Sequence, residues 1–238
     1  MKAQGAGLRA KGPLTPGSPP HVRAVMKKLA KAIENLDEPA VEKIAEEEQE
    51  NPFHVLISTM LSAQTRDEVT YAASTRLFKK ARTPRTMAAL MTRQIEKLIY
   101  PVSFYRNKAV HVKETCRQIL KRYAGKVPDT MDEMLTLPGV GRKTANLVLI
   151  LAHASRENIC VDTHVHRISN RLGWVRTRTP EQTEQALYRV TPKKWWPSVN
   201  LYLVTWGQNV CRPVYPRCPA CVLADICPKI GVTKVGRS

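Results

Sequence analysis

Apolar residues recur at three- and four-residue intervals along most of the chain, and no segment alternates apolar and polar positions between turn signals, so the pattern predicts an all-α class. A first helix runs from His21 to Leu36, with Val22, Val25, Met26, Leu29 and Ile33 on one face. Phe53 to Leu61 is almost wholly apolar and reads as a helix buried on most sides. Further helices are expected over 67–80, 86–98 and 108–123; in the last, Ala109, Val112, Cys116, Ile119, Leu120 and Tyr123 share a face, which makes Cys116 a core thiol. Thr130 and Glu133 form a capping-box signature for a short helix ending at Leu137, and a second helix follows from Arg142 to Ala154 after a tight Pro138-Gly139-Val140-Gly141 turn. Thr179-Pro180-Glu181-Gln182 starts another helix, and one more covers 198–209. No sequence repeat of fixed period is present, which excludes a solenoid.

Length and composition add a partner class. The chain has 238 residues, 43% of them apolar, enough for one or two packed domains. Its 38 basic and 20 acidic side chains leave a net charge of +18. Residues 1–50 carry eight of each sign and cancel, so 30 basic against 12 acidic residues in 51–238 hold the whole excess. A polyanion is the expected partner, nucleic acid first and an anionic membrane second. The longest apolar run outside the tail, Leu147 to Ala152, is six residues, against the roughly 20 needed to span a bilayer, so no membrane span is expected. Residues 1–20 contain four Gly, four Pro and no acid, which predicts a flexible basic arm without an export signal and an intracellular, reduced protein. The acidic stretch at 46–50 reads as a solvated face turned away from the polyanion.

Three local patterns carry chemistry. In Leu137-Pro138-Gly139-Val140-Gly141-Arg142-Lys143, two glycines precede a helix N-terminus. The segment is either an ordinary tight turn or a site where backbone N–H groups of 139–141 hold a phosphate. Lys143 is then either a phosphate-binding cation or a nucleophile; attack on carbon requires the neutral amine. Nineteen residues on, Asp162 in Val161-Asp162-Thr163-His164 is a helix N-cap or a catalytic carboxylate. His164 and His166, two apart, diverge on a helix and make a poor metal pair. The third pattern is Cys211, Cys218, Cys221 and Cys227, four thiols within 17 residues. Four thiolates satisfy a tetrahedral zinc or an iron–sulfur cluster, and the spacing leaves the two open. Arg212 and Arg217 lie inside the first interval, so a metal there would staple a basic loop toward phosphates.

Taken in order, Met60-Leu61-Ser62-Ala63-Gln64-Thr65-Arg66-Asp67, the glycine turn with Lys143, Val161-Asp162-Thr163-His164 and the cysteine tail resemble the endonuclease III family of helix-hairpin-helix DNA glycosylases, over about residues 21–229. The resemblance implies two lobes: a six-helix barrel at 45–156 containing the helix-hairpin-helix at about 130–154, and a [4Fe-4S] lobe made of 21–44 plus 157–229. A DNA cleft lies between them, and 230–238 is a tail. It implies Lys143 as nucleophile, Asp162 as its acidic partner, Gln64 as the residue that fills the gap left by an extruded base, and the four cysteines as cluster ligands. Phe104, in Tyr100-Pro101-Val102-Ser103-Phe104-Tyr105, falls where the bacterial type usually has Leu, and this wording is closer to the archaeal and eukaryotic branch. Thr65, Arg66, Gly139, Val140, Gly141, Arg142, His164, Arg212 and Arg217 are the other implied DNA contacts, with the basic ones facing one cleft. The implied activity is excision of oxidised pyrimidines from duplex DNA and cleavage at abasic sites by β-elimination, by a monomer. Two rivals are a mismatch glycosylase of the same superfamily, which places a residue other than Lys at 143, and a non-catalytic DNA-binding module, which needs neither Lys143 nor Asp162.

Overall fold

The computed structural model describes residues 14–236, and all their regular structure is helical. The buried side chains gather in two cores. The first is built on α3 (Pro52–Ser62), whose residues Phe53 to Leu61 are all buried. A helix with no polar face must be surrounded, and α2 (Ala40–Glu47), α4 (Asp67–Lys80), α7 (Tyr105–Arg122) and α9 (Arg142–Ala152) pack around it. α5 (Pro84–Ala89), α6 (Thr92–Ile99) and α8 (Met131–Met134) complete this body. Asn51 starts α3 by accepting hydrogen bonds from the Phe53 and His54 backbone N–H groups at 3.0 and 3.2 Å.

The second core joins distant parts of the chain. α1 (Pro19–Ala32) presents Val22, Val25, Met26 and Leu29, all fully buried, to α10 (Thr163–Arg171), α11 (Pro180–Val190), α12 (Ser198–Asn209) and the cysteine segment. Between the bodies, residues 159–161 send alternate side chains opposite ways. Ile159 and Val161 enter the second core and Cys160 the first.

Several expectations change. The first 13 residues of the arm lie outside the described residues, but the rest of it is docked: Gly17 donates to His21 Nδ1 at 3.2 Å, His21 Nε2 bonds the Ile226 carbonyl at 2.9 Å, and Ser18 caps α1. The helix predicted over 86–98 is two, because the Gln94 side chain reaches back to the Met91 N–H at 2.8 Å and restarts the backbone after Leu90. α8 ends at Met134, short of Leu137. Val41 and Ile44, assigned by sequence to the second lobe, are buried in the first core, since α2 turns them toward α3. Cys116 is fully buried there, as expected of a core thiol.

Candidate active site

A cleft of about 1380 Å³ opens between the two bodies, lined by the start of α2, the α3–α4 turn, the start of α9, the start of α10 and the end of α12. The glycine turn delivers α9 to its wall. Gly139 has a φ of +75°, and a Cβ there would stand 2.9 Å from His111, so the turn needs glycine on two counts. Gly141 differs: its φ of −102° is ordinary, nothing lies within 4 Å of where its Cβ would be, and it is the N-cap of α9. It therefore exposes backbone on the open side of the turn, where the first N–H groups of α9 lack intrahelical acceptors. Val140 is buried beneath it.

Lys108 and Lys143 lie near enough for their charges to interact, and of the two only Lys143 lines the cleft. Lys108, on α7, is committed: its ammonium donates to the Leu61 and Ala63 carbonyls at 2.7 and 2.6 Å and to Thr65 Oγ1 at 3.2 Å. Burial, reinforced by the positive charge of Lys143, pushes it down to about 8, while those three acceptors favour its proton. Lys143 lines the cleft, and its ammonium makes no hydrogen bond to the described residues. Lys108 also organises the neighbouring turn. Thr65 Oγ1 accepts the Ser103 N–H at 3.2 Å, which ties the α3–α4 turn to the loop before α7. Gln64 and Phe104, one on each side of that tie, both have left-handed backbones, with φ of 54° and 56°. That conformation costs a non-glycine residue about 1 kcal/mol or more, so the surrounding contacts must hold it. Gln64 is exposed in the cleft, and Phe104 is 64% exposed at the tip of its loop. Arg66 lines the cleft from the solvent side.

Asp162 caps α10, with Oδ1 accepting the Val165 N–H at 2.8 Å; its second oxygen makes no hydrogen bond to the described residues. The default N-cap role and a position in the cleft thus coincide. His164 lines the cleft and accepts a hydrogen bond from Arg167 at 3.2 Å; burial lowers its pKa and favours the neutral ring. His166 turns elsewhere, to Thr183 at 2.6 Å. Arg142 forms a fork of bonds to Glu184, at 2.5 and 3.1 Å, which joins the hairpin to α11 across the two bodies. Asp67 makes a second link, accepting from the Ala40 N–H and from Gln208 of α12, both at 3.1 Å.

Two expectations about charge are corrected. The acidic stretch does not turn wholly away: Glu47 lines the cleft and accepts from Tyr71 at 2.8 Å, while Glu48 turns inward to buried His54 at 2.8 Å. The packing of α2 on α3 and α4 carries those side chains there. Arg212 and Arg217 are exposed but do not line the cleft; their loop continues past the end of α12 and Arg217 borders the cysteine pocket instead.

Cys211, Cys218, Cys221 and Cys227 line one pocket, walled mainly by apolar side chains such as Leu172, Trp206 and Leu223. Among the described residues, no three His, Cys, Asp or Glu side chains form a compact group for a metal ion. The surroundings suit anionic sulfur. The Leu223 N–H donates to Cys221 Sγ at 3.4 Å and the Arg171 guanidinium to Cys211 Sγ at 3.4 Å. Burial pushes the Cys221 and Cys227 thiols up, so a bound cation is what would keep them ionised. Arg171, buried on α10, also donates to the carbonyls of Arg212 at 2.7 Å and Pro213 at 2.8 Å and so shapes the loop. Sequence reasoning missed Arg171, Lys108, Asp67 and buried Glu42. Only Arg171 left a signal, recurring with His164 and Arg167 on one face of α10.

A family model described as HhH-GPD superfamily base excision DNA repair protein matches residues 57–193. The chain is 46% identical over 196 residues to Endonuclease III of Thermotoga maritima, covering 82% of this chain and 92% of that protein. It is 45% identical over 178 residues to Endonuclease III-like protein 1 of Gallus gallus, covering 74% of this chain and 63% of that longer protein. A solved structure of a trapped endonuclease III–DNA covalent intermediate superposes with a TM-score of 0.78 at 34% identity, covering 89% of this chain and 96% of that one. No helix among the described residues is long and apolar enough to cross a membrane.

Proposed function

This chain belongs to the HhH-GPD superfamily of base excision DNA repair proteins and is a DNA glycosylase with AP lyase activity; on that footing we propose that it removes oxidised pyrimidines from duplex DNA and cuts the strand through a Schiff base on Lys143. The observation that carries the reading is the contrast between Lys143 and its neighbour Lys108. Lys108 spends its donors on Leu61, Ala63 and Thr65, whereas Lys143 stands in the cleft with no hydrogen bond to the described residues.

The glycosidic carbon of a stacked nucleotide is out of reach, so the nucleotide must be extruded; the cost is a few kcal/mol and is lower for a damaged base. Phe104, exposed on a loop tied to the Gln64 turn, acts as the apolar wedge, and Gln64 occupies the vacated space. Phosphates are held by the N–H groups of Gly139 and Gly141 and of the first turn of α9, the Val140 N–H being bonded to the Leu137 carbonyl at 3.1 Å, with Thr65, Arg66, Arg142 and His164 along the wall and Arg212 and Arg217 farther out. The neutral amine of Lys143 attacks C1′. The C1′–N bond breaks with its electron pair leaving on the protonated base, and the attacking nitrogen gives up one proton. The C1′–O4′ bond then breaks, O4′ taking up a proton, and the C1′=N bond of the ring-opened sugar is the Schiff base. Removal of a C2′ proton then expels the 3′ phosphate, and water returns the lysine. The uncommitted oxygen of Asp162 stabilises the cationic sugar and accepts a proton.

Cys211, Cys218, Cys221 and Cys227 would hold a [4Fe-4S] cluster, which supplies a rigid staple for their loop and no redox step. The protein works as an intracellular monomer on damaged or abasic duplex. Borohydride reduction tests the reading: wild-type protein should be trapped covalently on oxidised-pyrimidine DNA, and Lys143→Gln should give no adduct. Wild-type protein that releases base without ever being trapped would refute the lyase step.

A further inference from the structure

The chemistry above leaves one buried acid in the cleft unused. Glu42, on α2, is 8% exposed and lines the cleft with Gln64, Lys143 and Asp162. Its carboxyl forms no ion pair with the described residues, and its hydrogen-bond partner is its own backbone N–H. A buried carboxyl without a dedicated partner is costly unless something else completes its bonding.

We propose that Glu42 reads the Watson–Crick edge of the extruded pyrimidine, offering a donor and an acceptor side by side. The inference rests on the cleft being the receptacle of an extruded base. A thymine-derived lesion presents a carbonyl beside an N–H, and a cytosine-derived lesion presents a ring nitrogen acceptor beside an amino donor. A neutral carboxyl carries O–H and C=O on adjacent oxygens, and its proton can sit on either. It therefore matches both orders, while touching nothing at the oxidised 5,6 positions. One side chain would thus admit a class of damaged pyrimidines rather than a single lesion.

The surroundings favour the neutral form. Burial pushes Glu42 up to about 7, and the charges of Asp67 on α4 and Glu38 before α2 add to this, against the opposing pull of Lys143 on α9. Cys160, also facing it, has a thiol pushed well up by burial and so contributes no charge. Above about pH 7 Glu42 ionises, its donor is lost, and a carboxylate faces the base carbonyls.

The test compares single-turnover base release, from duplexes carrying a thymine-derived or a cytosine-derived lesion, with strand cleavage at a preformed abasic site, where no base is left to read. In wild-type protein the ratio of base release to abasic-site cleavage should fall by about tenfold per pH unit on the alkaline side. Glu42→Gln, a permanently neutral isostere with one donor and one acceptor, should hold that ratio level with pH. Glu42→Ala should lower base release from both lesions by about 10- to 100-fold more than abasic-site cleavage, as expected for two lost hydrogen bonds. Thermal melting of both variants checks that they fold. The proposal is overturned if Glu42→Ala releases base as wild type does, or if both substitutions lower the two activities by the same factor, which would place Glu42's effect on Lys143 or on the fold. Wild-type protein that released no base at all would instead refute the glycosylase reading on which the proposal rests.

Discussion

The two glycines of the hairpin should fail in opposite ways when each is given a methyl group. At Gly139 an alanine must adopt a left-handed backbone, at about 1–2 kcal/mol. Its Cβ also meets His111 at 2.9 Å, closer than carbon atoms tolerate, so α7 or the turn must shift. Overpacking of this kind costs about 1–3 kcal/mol. The sum, about 2–5 kcal/mol, corresponds in a chain of this size to a fall in Tm of roughly 5–15 °C. At Gly141 the backbone is already in a region open to alanine and no atom lies within 4 Å of the added carbon. Only a weaker N-cap is lost, at under about 1 kcal/mol, so Tm should move by no more than about 4 °C. If phosphate approaches at Gly141, the methyl stands in its path, and the loss of one charge-assisted hydrogen bond should weaken binding by about tenfold or more. Thermal melting and fluorescence anisotropy with a duplex containing an abasic-site analogue, at one fixed salt concentration, measure the two effects. Gly141→Ala with wild-type affinity would remove the anion-binding role of the hairpin. Gly139→Ala with wild-type stability would contradict the steric account of the turn.

Two other substitutions probe residues that position the site. Lys108→Met leaves the Leu61 and Ala63 carbonyls and Thr65 without their shared donor; we expect a loss of about 2–4 kcal/mol and faster amide exchange in both 62–66 and 102–106. Unchanged exchange in either segment would show that the two loops are not joined through this lysine. Arg171→Met strips the carbonyls of 212 and 213 and the Cys211 sulfur of their donor, and purified protein should carry less iron and labile sulfide per chain than wild type. Full occupancy in that variant would mean the cysteine loop holds its shape without the arginine.

What the sequence disclosed and what it hid follow a physical line. Helical periodicity records which face of an element is buried, and this is why α4 at 67–80 and α12 at 198–209 match their predicted bounds. Glycine spacing and the four cysteines are similarly local: Gly141 lines the cleft and the four cysteines line one pocket. Partnerships across the fold leave no such trace. The bond from Arg142 to Glu184 spans 42 residues, so nothing local in the sequence marks it. The acceptors of Lys108, on Leu61, Ala63 and Thr65, are likewise 43 to 47 residues away in the chain. Glu42 left no signal because its burial comes from the packing of α2 on α3, α4 and α9 and not from α2's own pattern.

The links between the two bodies have a mechanical consequence. Cys160 is buried in one core while Ile159 and Val161 are buried in the other. Around that crossing, the Asn200 side chain donates to the Cys160 carbonyl at 3.2 Å, the Cys160 thiol to the Lys143 carbonyl at 3.4 Å, and the Asn158 side chain to Asn146 at 2.9 Å. Opening or closing the cleft would pull buried apolar side chains out of both cores at once, with Lys143 and Asp162 only a bond or two from the seam. The jaws behave as a fixed gauge. In forming a complex the duplex is the compliant partner: bending and unstacking fall on the DNA, and any sequence or lesion that softens the helix lowers the work of being seized.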